Sequence, residues 1–185
     1  FGSLTQDWYL YDITTGAHRN LTADLGVAFW NEDTDTPGLP RPYSASTWME
    51  NEEYFLIGDR YDLWQFDPKG EKAPFMITEG LGKATNNNFK VARPIHDPKA
   101  KRTRFGNAAG PLKVGEPLYL SSFNRVSREH GFYMKDITKK KAKMVKLAEG
   151  PYNMSISGIS LSNEYPGIAQ VGKSQKPPRK LSIPV

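Results

Sequence analysis

The chain has 185 residues, 38% hydrophobic and 12% aromatic, with a formal net charge of +5 and a pI near 9.3. The aromatic share is that of a folded protein rather than a disordered one, and no run of 18 apolar residues is present to form a membrane-spanning helix. The absence of Cys excludes disulfides, thiolate metal sites and cysteine nucleophiles.

Phe1–Asp7 has neither the basic region nor the apolar stretch of a secretory leader. With no initiator Met, the chain reads as a fragment or a processed product. Helical periodicity is sparse. Short β-branched and aromatic runs bounded by turn residues recur instead, which predicts strands. In chain order they are Trp8–Tyr11, Tyr54–Ile57, Leu63–Phe66, Pro117–Ser121, Phe132–Met134 and Met144–Leu147.

A larger unit recurs as well. Trp8-Tyr-Leu-Tyr-Asp12, a turn to Gly16 and a strand closing on Leu21-Thr22 is repeated by Leu63-Trp-Gln-Phe-Asp67, Gly70 and Phe75–Thr78. It returns a third time as Gly131–Asp136 followed by Lys143–Gly150. In each, the Asp is expected to cap the turn through backbone N–H groups two residues on. Gly16 and Gly70 are expected to supply the positive φ such turns require. Ser46–Ile57 reads as a preceding hairpin around Asn51, and two such hairpins make one four-stranded antiparallel propeller blade. The predicted fold is therefore all-β, a partial β-propeller of antiparallel four-stranded blades. Residues 1–25 end one blade, 26–80 and 81–150 are whole blades, and 151–185 begin another with strands at Ile156–Ile159 and Gly167–Val171. The spacing exceeds an ordinary blade repeat, which predicts insertions at Asn31–Pro40 and Pro98–Pro111.

The segment Gly58-Asp-Arg-Tyr-Asp-Leu-Trp-Gln-Phe-Asp67-Pro-Lys-Gly70-Glu-Lys-Ala-Pro74, closed by Ile77-Thr-Glu-Gly80, resembles the propeller of exported prolyl-oligopeptidase-like (dipeptidyl-peptidase-type) serine peptidases of Bacteroides-type bacteria. Asp7–Asp12 with Arg19–Thr22 resembles the preceding blade, and Leu118–Phe123 with Gly131–Tyr133 the following one. The likeness runs in patches through residues 7–153. It implies a periplasmic or extracellular propeller that admits only flexible peptides to the Ser, Asp and His of a separate hydrolase domain. Nothing here matches that hydrolase part. Ser157-Gly158-Ile-Ser160-Leu-Ser162 lacks the second glycine of a nucleophile elbow, so no catalytic residue is assigned.

His18, His96 and His130 are scattered and read as exposed loop residues. Glu32-Asp33-Thr34-Asp35 lacks the Gly and trailing Glu of a calcium loop, and no phosphate-cradling glycine motif exists, so neither metal nor cofactor is expected. Asn86–Asn88 reads as a turn. Trp48 and Trp64 read as packing between blades. Arg41, Arg60, Trp30 and Tyr61 are the candidate peptide or ligand contacts, with an ion pair from Arg60 to Asp59 or Asp62 the blander alternative. The basic runs Lys99–Arg104 and Lys139–Lys143 read as solvated loops rather than a nucleic-acid surface. The expected role is a non-catalytic propeller segment that gates and selects peptides for a serine peptidase. The alternative is a non-enzymatic periplasmic or cell-surface module binding protein or glycan. Open blade edges predict a fragment that either self-associates or packs as an open arc.

Overall fold

The computed structural model describes residues 1–92, 111–139 and 142–151, and the backbone of short strands outside those ranges. The chain forms two compact units, Phe1–Asn88 and Phe89–Val185. Both are built almost wholly from antiparallel sheets, and the only helix among the described residues has five residues.

The first unit opens with the hairpin β1 (Tyr9–Tyr11) and β2 (His18–Asn20). The four-stranded meander β3 (Thr47–Trp48), β4 (Phe55–Gly58), β5 (Leu63–Phe66) and β6 (Phe75–Met76) follows, with strands side by side in chain order. This is the strand order of a propeller blade. Register puts Ile57 opposite Trp64 and Phe55 opposite Phe66, so one face of the sheet carries a continuous apolar set. Phe29 closes on that face, its ring 5.9 Å from Trp64 and 6.2 Å from Phe66. Trp8, Leu10, Leu21, Leu25, Val27, Trp48 and Met76 pack around this core. Burial of each such side chain contributes about 1.5–3 kcal/mol. Trp64 is 8% exposed and Trp48 is half-buried, stacked 4.5 Å from Phe55. Both are core residues, packed inside the first unit's own core.

The turns follow the sequence closely. Asp12 Oδ1 accepts from the amides of Thr14 and Thr15 at 2.8 and 3.2 Å. The Asp67 carboxylate accepts from Lys69, Glu71 and Lys72 at 2.8, 2.9 and 3.0 Å. Gly16 and Gly70 have φ of 74° and 78°. Gly70 is also needed for room, because a Cβ there would overlap the Arg19 guanidinium, which donates to the carbonyls of Asp67 and Pro68.

The hairpin β1–β2 and the hairpin β5–β6 share more than their turns. Trp8 N donates to Thr22 Oγ1 at 3.0 Å, and that hydroxyl donates to Asp7 Oδ1 at 2.9 Å. At the second site Leu63 N donates to Thr78 Oγ1 at 3.1 Å, and that hydroxyl donates to Asp62 Oδ1 at 2.6 Å. Leu21 N to Trp8 O and Ile77 N to Leu63 O are both 2.8 Å. Leu25 N to Thr22 O and Leu81 N to Thr78 O match again, at 3.2 and 3.1 Å. The sequence recurrence is thus a recurrence of one hydrogen-bonded scaffold.

After β6 the short helix α1 (Leu81–Thr85) leads to β7 (Asn87–Val91), which spans the boundary between the units. Asn86 caps the helix with φ 58° and Asn87 is already in the strand, so the predicted Asn86–Asn88 turn shrinks to one left-handed residue. In the second unit, β7 joins β10 (Leu118–Asn124), β11 (His130–Lys135) and β12 (Val145–Gly150) in a second four-stranded antiparallel sheet of blade order. Between β7 and β10 comes the small hairpin β8 (Arg102–Thr103) and β9 (Gly106–Asn107), inside the stretch expected to be an insertion. Part of the basic run Lys99–Arg104 is therefore strand rather than loop; its other residues lie outside the described ones. The run at Lys139 follows β11 in a turn, where Lys139 pairs with Asp136 at 2.8 Å. Asp136 caps that turn through the Thr138 amide at 3.0 Å.

In the third hairpin Gly131 stands five residues before its Asp, where Asp7 and Asp62 stand in the others. A Cβ at Gly131 would lie 2.6 Å from Ser122 Oγ and 2.9 Å from Ala148 O, so the carboxylate clamp is replaced by close strand approach. The remaining strands are β13 (Met154–Ser155), β14 (Leu161–Ser162), β15 (Tyr165–Pro166), β16 (Ile168–Val171) and β17 (Lys180–Ser182). β16 lies between β13 and β17, so a strand does occur at the predicted Gly167–Val171. Ile156–Ile159 falls outside the described residues. Two of the three histidines are strand residues rather than loop residues. His18 begins β2 opposite Tyr11, and His130 begins β11 with its ring 5.0 Å from Phe123. His96 lies outside the described residues.

Candidate functional site

The turn between β4 and β5 is set by one carboxylate. Asp59 Oδ1 accepts from the amides of Tyr61 and Asp62, each at 2.7 Å, and Asp59 Oδ2 accepts from Trp64 Nε1 at 2.8 Å. Asp62 is filled just as completely: besides Thr78 it accepts from the amides of Gly82 at 2.9 Å and Lys83 at 3.0 Å. Neither carboxylate is an ion-pair partner of Arg60, because its oxygens are already committed to N–H and O–H donors. This corrects the expected pairing of Arg60 with Asp59 or Asp62.

Arg60 instead reaches the loop that follows Trp30. Its Nη2 donates to Asp33 Oδ1, and its Nη1 lies 3.8 Å from Glu32 Oε2. The guanidinium carbon sits 5.7 Å from the centre of the Tyr61 ring. The Arg60 carbonyl accepts from Asn88 Nδ2, which pins the backbone of the turn. The loop itself has a rigid neck. Trp30 bridges Pro42, Asn31 N donates to Arg41 O at 2.7 Å, and Tyr43 N donates to Phe29 O at 3.0 Å. Tyr43 Oη accepts from Glu32 N at 3.0 Å and donates to Glu32 Oε2 at 3.3 Å. Burial raises the pKa of the Tyr43 hydroxyl above its ordinary value.

Of the four sequence candidates, the structure therefore joins Arg60 to the acidic loop and sets Tyr61 beside the Arg60 guanidinium. Trp30 and Arg41 lie on the neck of that loop, Trp30 half-buried and Arg41 exposed with no ion pair among the described residues. Arg60 is an occupied cation; to hold an anionic ligand it has to release Asp33 and Glu32. Sequence reasoning singled out both the acidic cluster and Arg60 but did not pair them, since 27 residues separate Asp33 from Arg60. Asn88 was read only as part of a turn, and neither it nor Tyr43 was tied to this corner.

No family model matches this chain, and neither the curated proteins nor the solved structures give a match. The site has to be read from its own chemistry. Among the described residues no three His, Asp or Glu side chains converge as metal ligands. His18 and His130 have aromatic neighbours, Tyr9 at 6.3 Å and Phe123 at 5.0 Å, rather than a hydroxyl nucleophile or a carboxylate. What the Arg60 corner offers is a planar cation, an aromatic face and two carboxylates on a neck-anchored loop.

Proposed function

We propose that this chain is a non-catalytic β-propeller segment that gates and selects peptide substrates for a prolyl-oligopeptidase-type serine peptidase, with the hydrolase domain supplied by another part of the parent protein. The observation that carries the reading is the Gly58–Pro74 segment. It resembles the propeller of that peptidase class, and it carries the β4–β5 turn, strand β5 and the β5–β6 turn of a four-stranded antiparallel meander. The repeated Asp–Thr scaffold of the two hairpins in the first unit supports a blade array, because each copy reproduces the same hydrogen bonds where its strands meet. The Arg60 corner supplies a polar contact of the kind a peptide selector needs. On this reading the protein acts in the periplasm or outside the cell, and its partners are the hydrolase domain and the peptide.

The test is to read the source gene beyond the codon for Val185. A continuing frame with Gly-x-Ser-x-Gly, then Asp and His, supports the gate. A stop codon shortly after Val185 overturns it in favour of a free-standing module binding protein or glycan.

A further inference from the structure

The two matching hairpins of the first unit differ in one respect. β5 is paired on both sides, with β6 and with β4, whereas β1 is paired only with β2 among the described residues. The shared scaffold aligns them residue by residue: Trp8 with Leu63, Tyr9 with Trp64, Leu10 with Gln65 and Tyr11 with Phe66. In β5, Trp64 and Phe66 face Ile57 and Phe55 of β4. The corresponding backbone groups of Tyr9 and Tyr11 point away from β2, since Trp8 O and Asp12 N take the flanking bonds to that strand. β1 therefore presents the open edge that β4 covers in the other copy.

The start of the chain shows how that edge is approached. Gly2 N donates to Asp7 O at 2.8 Å, as Asp59 N donates to Asp62 O at 3.0 Å, and Gly2 and Asp7 form an antiparallel bridge. The Phe1 ring packs edge-on to Trp8 at 5.7 Å, which puts Phe1 where Gly58 lies opposite Leu63. Phe1–Gly2 thus occupies the place of the last residue of β4 and the first of its turn. A second observation concerns the same hairpin. Leu4, Tyr11 and Ile13 are 85%, 61% and 89% exposed, three large apolar side chains around one short hairpin. The buried Trp8 indole N–H also has no acceptor among the described residues.

We infer that the outer edge of β1 is a strand-docking edge, and that its occupant is an extended segment continuous with Phe1 on its N-terminal side. That segment runs antiparallel to β1, with its residue next to Phe1 opposite Tyr9 and the residue two further back opposite Tyr11. Large apolar side chains at both positions match Ile57 and Phe55 of β4. The inference rests on the internal repeat and stands apart from the peptidase reading.

The experiment extends the chain by its own β4 sequence, Glu52–Ile57, fused directly before Phe1, and follows amide hydrogen exchange. In the 185-residue chain the Tyr9 and Tyr11 amides exchange freely, while Trp64 and Phe66 are protected and report that the unit is folded. In the extended chain Tyr9 and Tyr11 slow by at least tenfold and the melting temperature rises. Tyr11→Pro in the extended chain abolishes the slowing at Tyr9, because proline has no N–H to offer an added strand. Fast exchange of Tyr9 and Tyr11 in the extended chain, with Trp64 and Phe66 still protected, overturns the inference. So does concentration-dependent protection in the unextended chain, which makes a second copy the occupant.

Discussion

Asp62 is 1% exposed and takes hydrogen bonds from Thr78, Gly82 and Lys83, groups 16 to 21 residues away. Removing it strands three donors in a closed site, each worth about 1–3 kcal/mol when left unmade. Asp62→Ala is expected to destabilise the first unit by about 3 kcal/mol or more, and Thr78→Val by about 1–2 kcal/mol. Urea unfolding followed by tryptophan fluorescence measures both. The exposed turn carboxylates act through pH instead. The Lys139 ammonium and the Thr138 hydroxyl lower the pKa of Asp136 to about 2 from the ordinary 3.8. The amides of Thr14 and Thr15 hold Asp12 below its usual value. For Asp67, desolvation is the largest single cause and pushes the other way, but the amides of Lys69, Lys72 and Glu71 and the Lys72 charge together outweigh it. All three are depressed in the folded state, so the stability they contribute is present above the ordinary carboxylate value of 3.8 and is lost as pH falls through their lowered values, about 2 for Asp136. Melting temperature is expected to drop across that window, less steeply in Asp136→Asn, which keeps an acceptor for the Thr138 amide but does not titrate.

At the scale of elements, the Arg60 corner fastens an exposed loop to a buried turn. Arg60 and its partners Glu32 and Asp33 keep side-chain exposures of 29% and 40%, so the pairs contribute little to global stability. Arg60→Ala is expected to lower stability by under about 1 kcal/mol. The same change frees the loop and should raise the rate of cleavage after Glu32 by a glutamate-specific protease several-fold. Equal cleavage rates in the two proteins would show that the Tyr43 contact alone holds the loop. The hairpins reveal a second element-scale coupling. Gly70→Ala forces a side chain into a left-handed turn and displaces Arg19 from two carbonyls, so a loss of about 1–2 kcal/mol is expected. In Arg19→Ala the clash is gone, and the remaining loss from Gly70→Ala is that of the backbone alone. A double-mutant cycle separates the two.

For the whole molecule, two compact units carry one blade-type sheet each. The proposed role makes a direct demand at this scale: the isolated chain should not react with a fluorophosphonate probe of serine nucleophiles. Labelling of a single serine would overturn the non-catalytic reading. Much of the architecture was legible in the sequence. Leu63–Phe66 is strand as read, and the Asp–Gly turns cap as read, because each rests on contacts within five residues. His18 and His130 were misread as loop residues, since both adjoin turns in sequence and only strand pairing shows them to lie in β2 and β11.

Alternation of apolar residues and the reach of a short Asp side chain are properties of the local chain, so the sequence by itself determined the all-β class, the hairpins and their turns. The candidate site is different in kind. That Arg60 meets Asp33 rather than its neighbour Asp59, and that Arg19 crosses to the Gly70 turn, depends on which strands pair and in what register. Those partners lie 27 and 48 or more residues apart, and only the tertiary structure brings them together. The open edge of β1 belongs with them: that the strand has no second neighbour among the described residues is a fact about the sheet, and no residue within the strand records it.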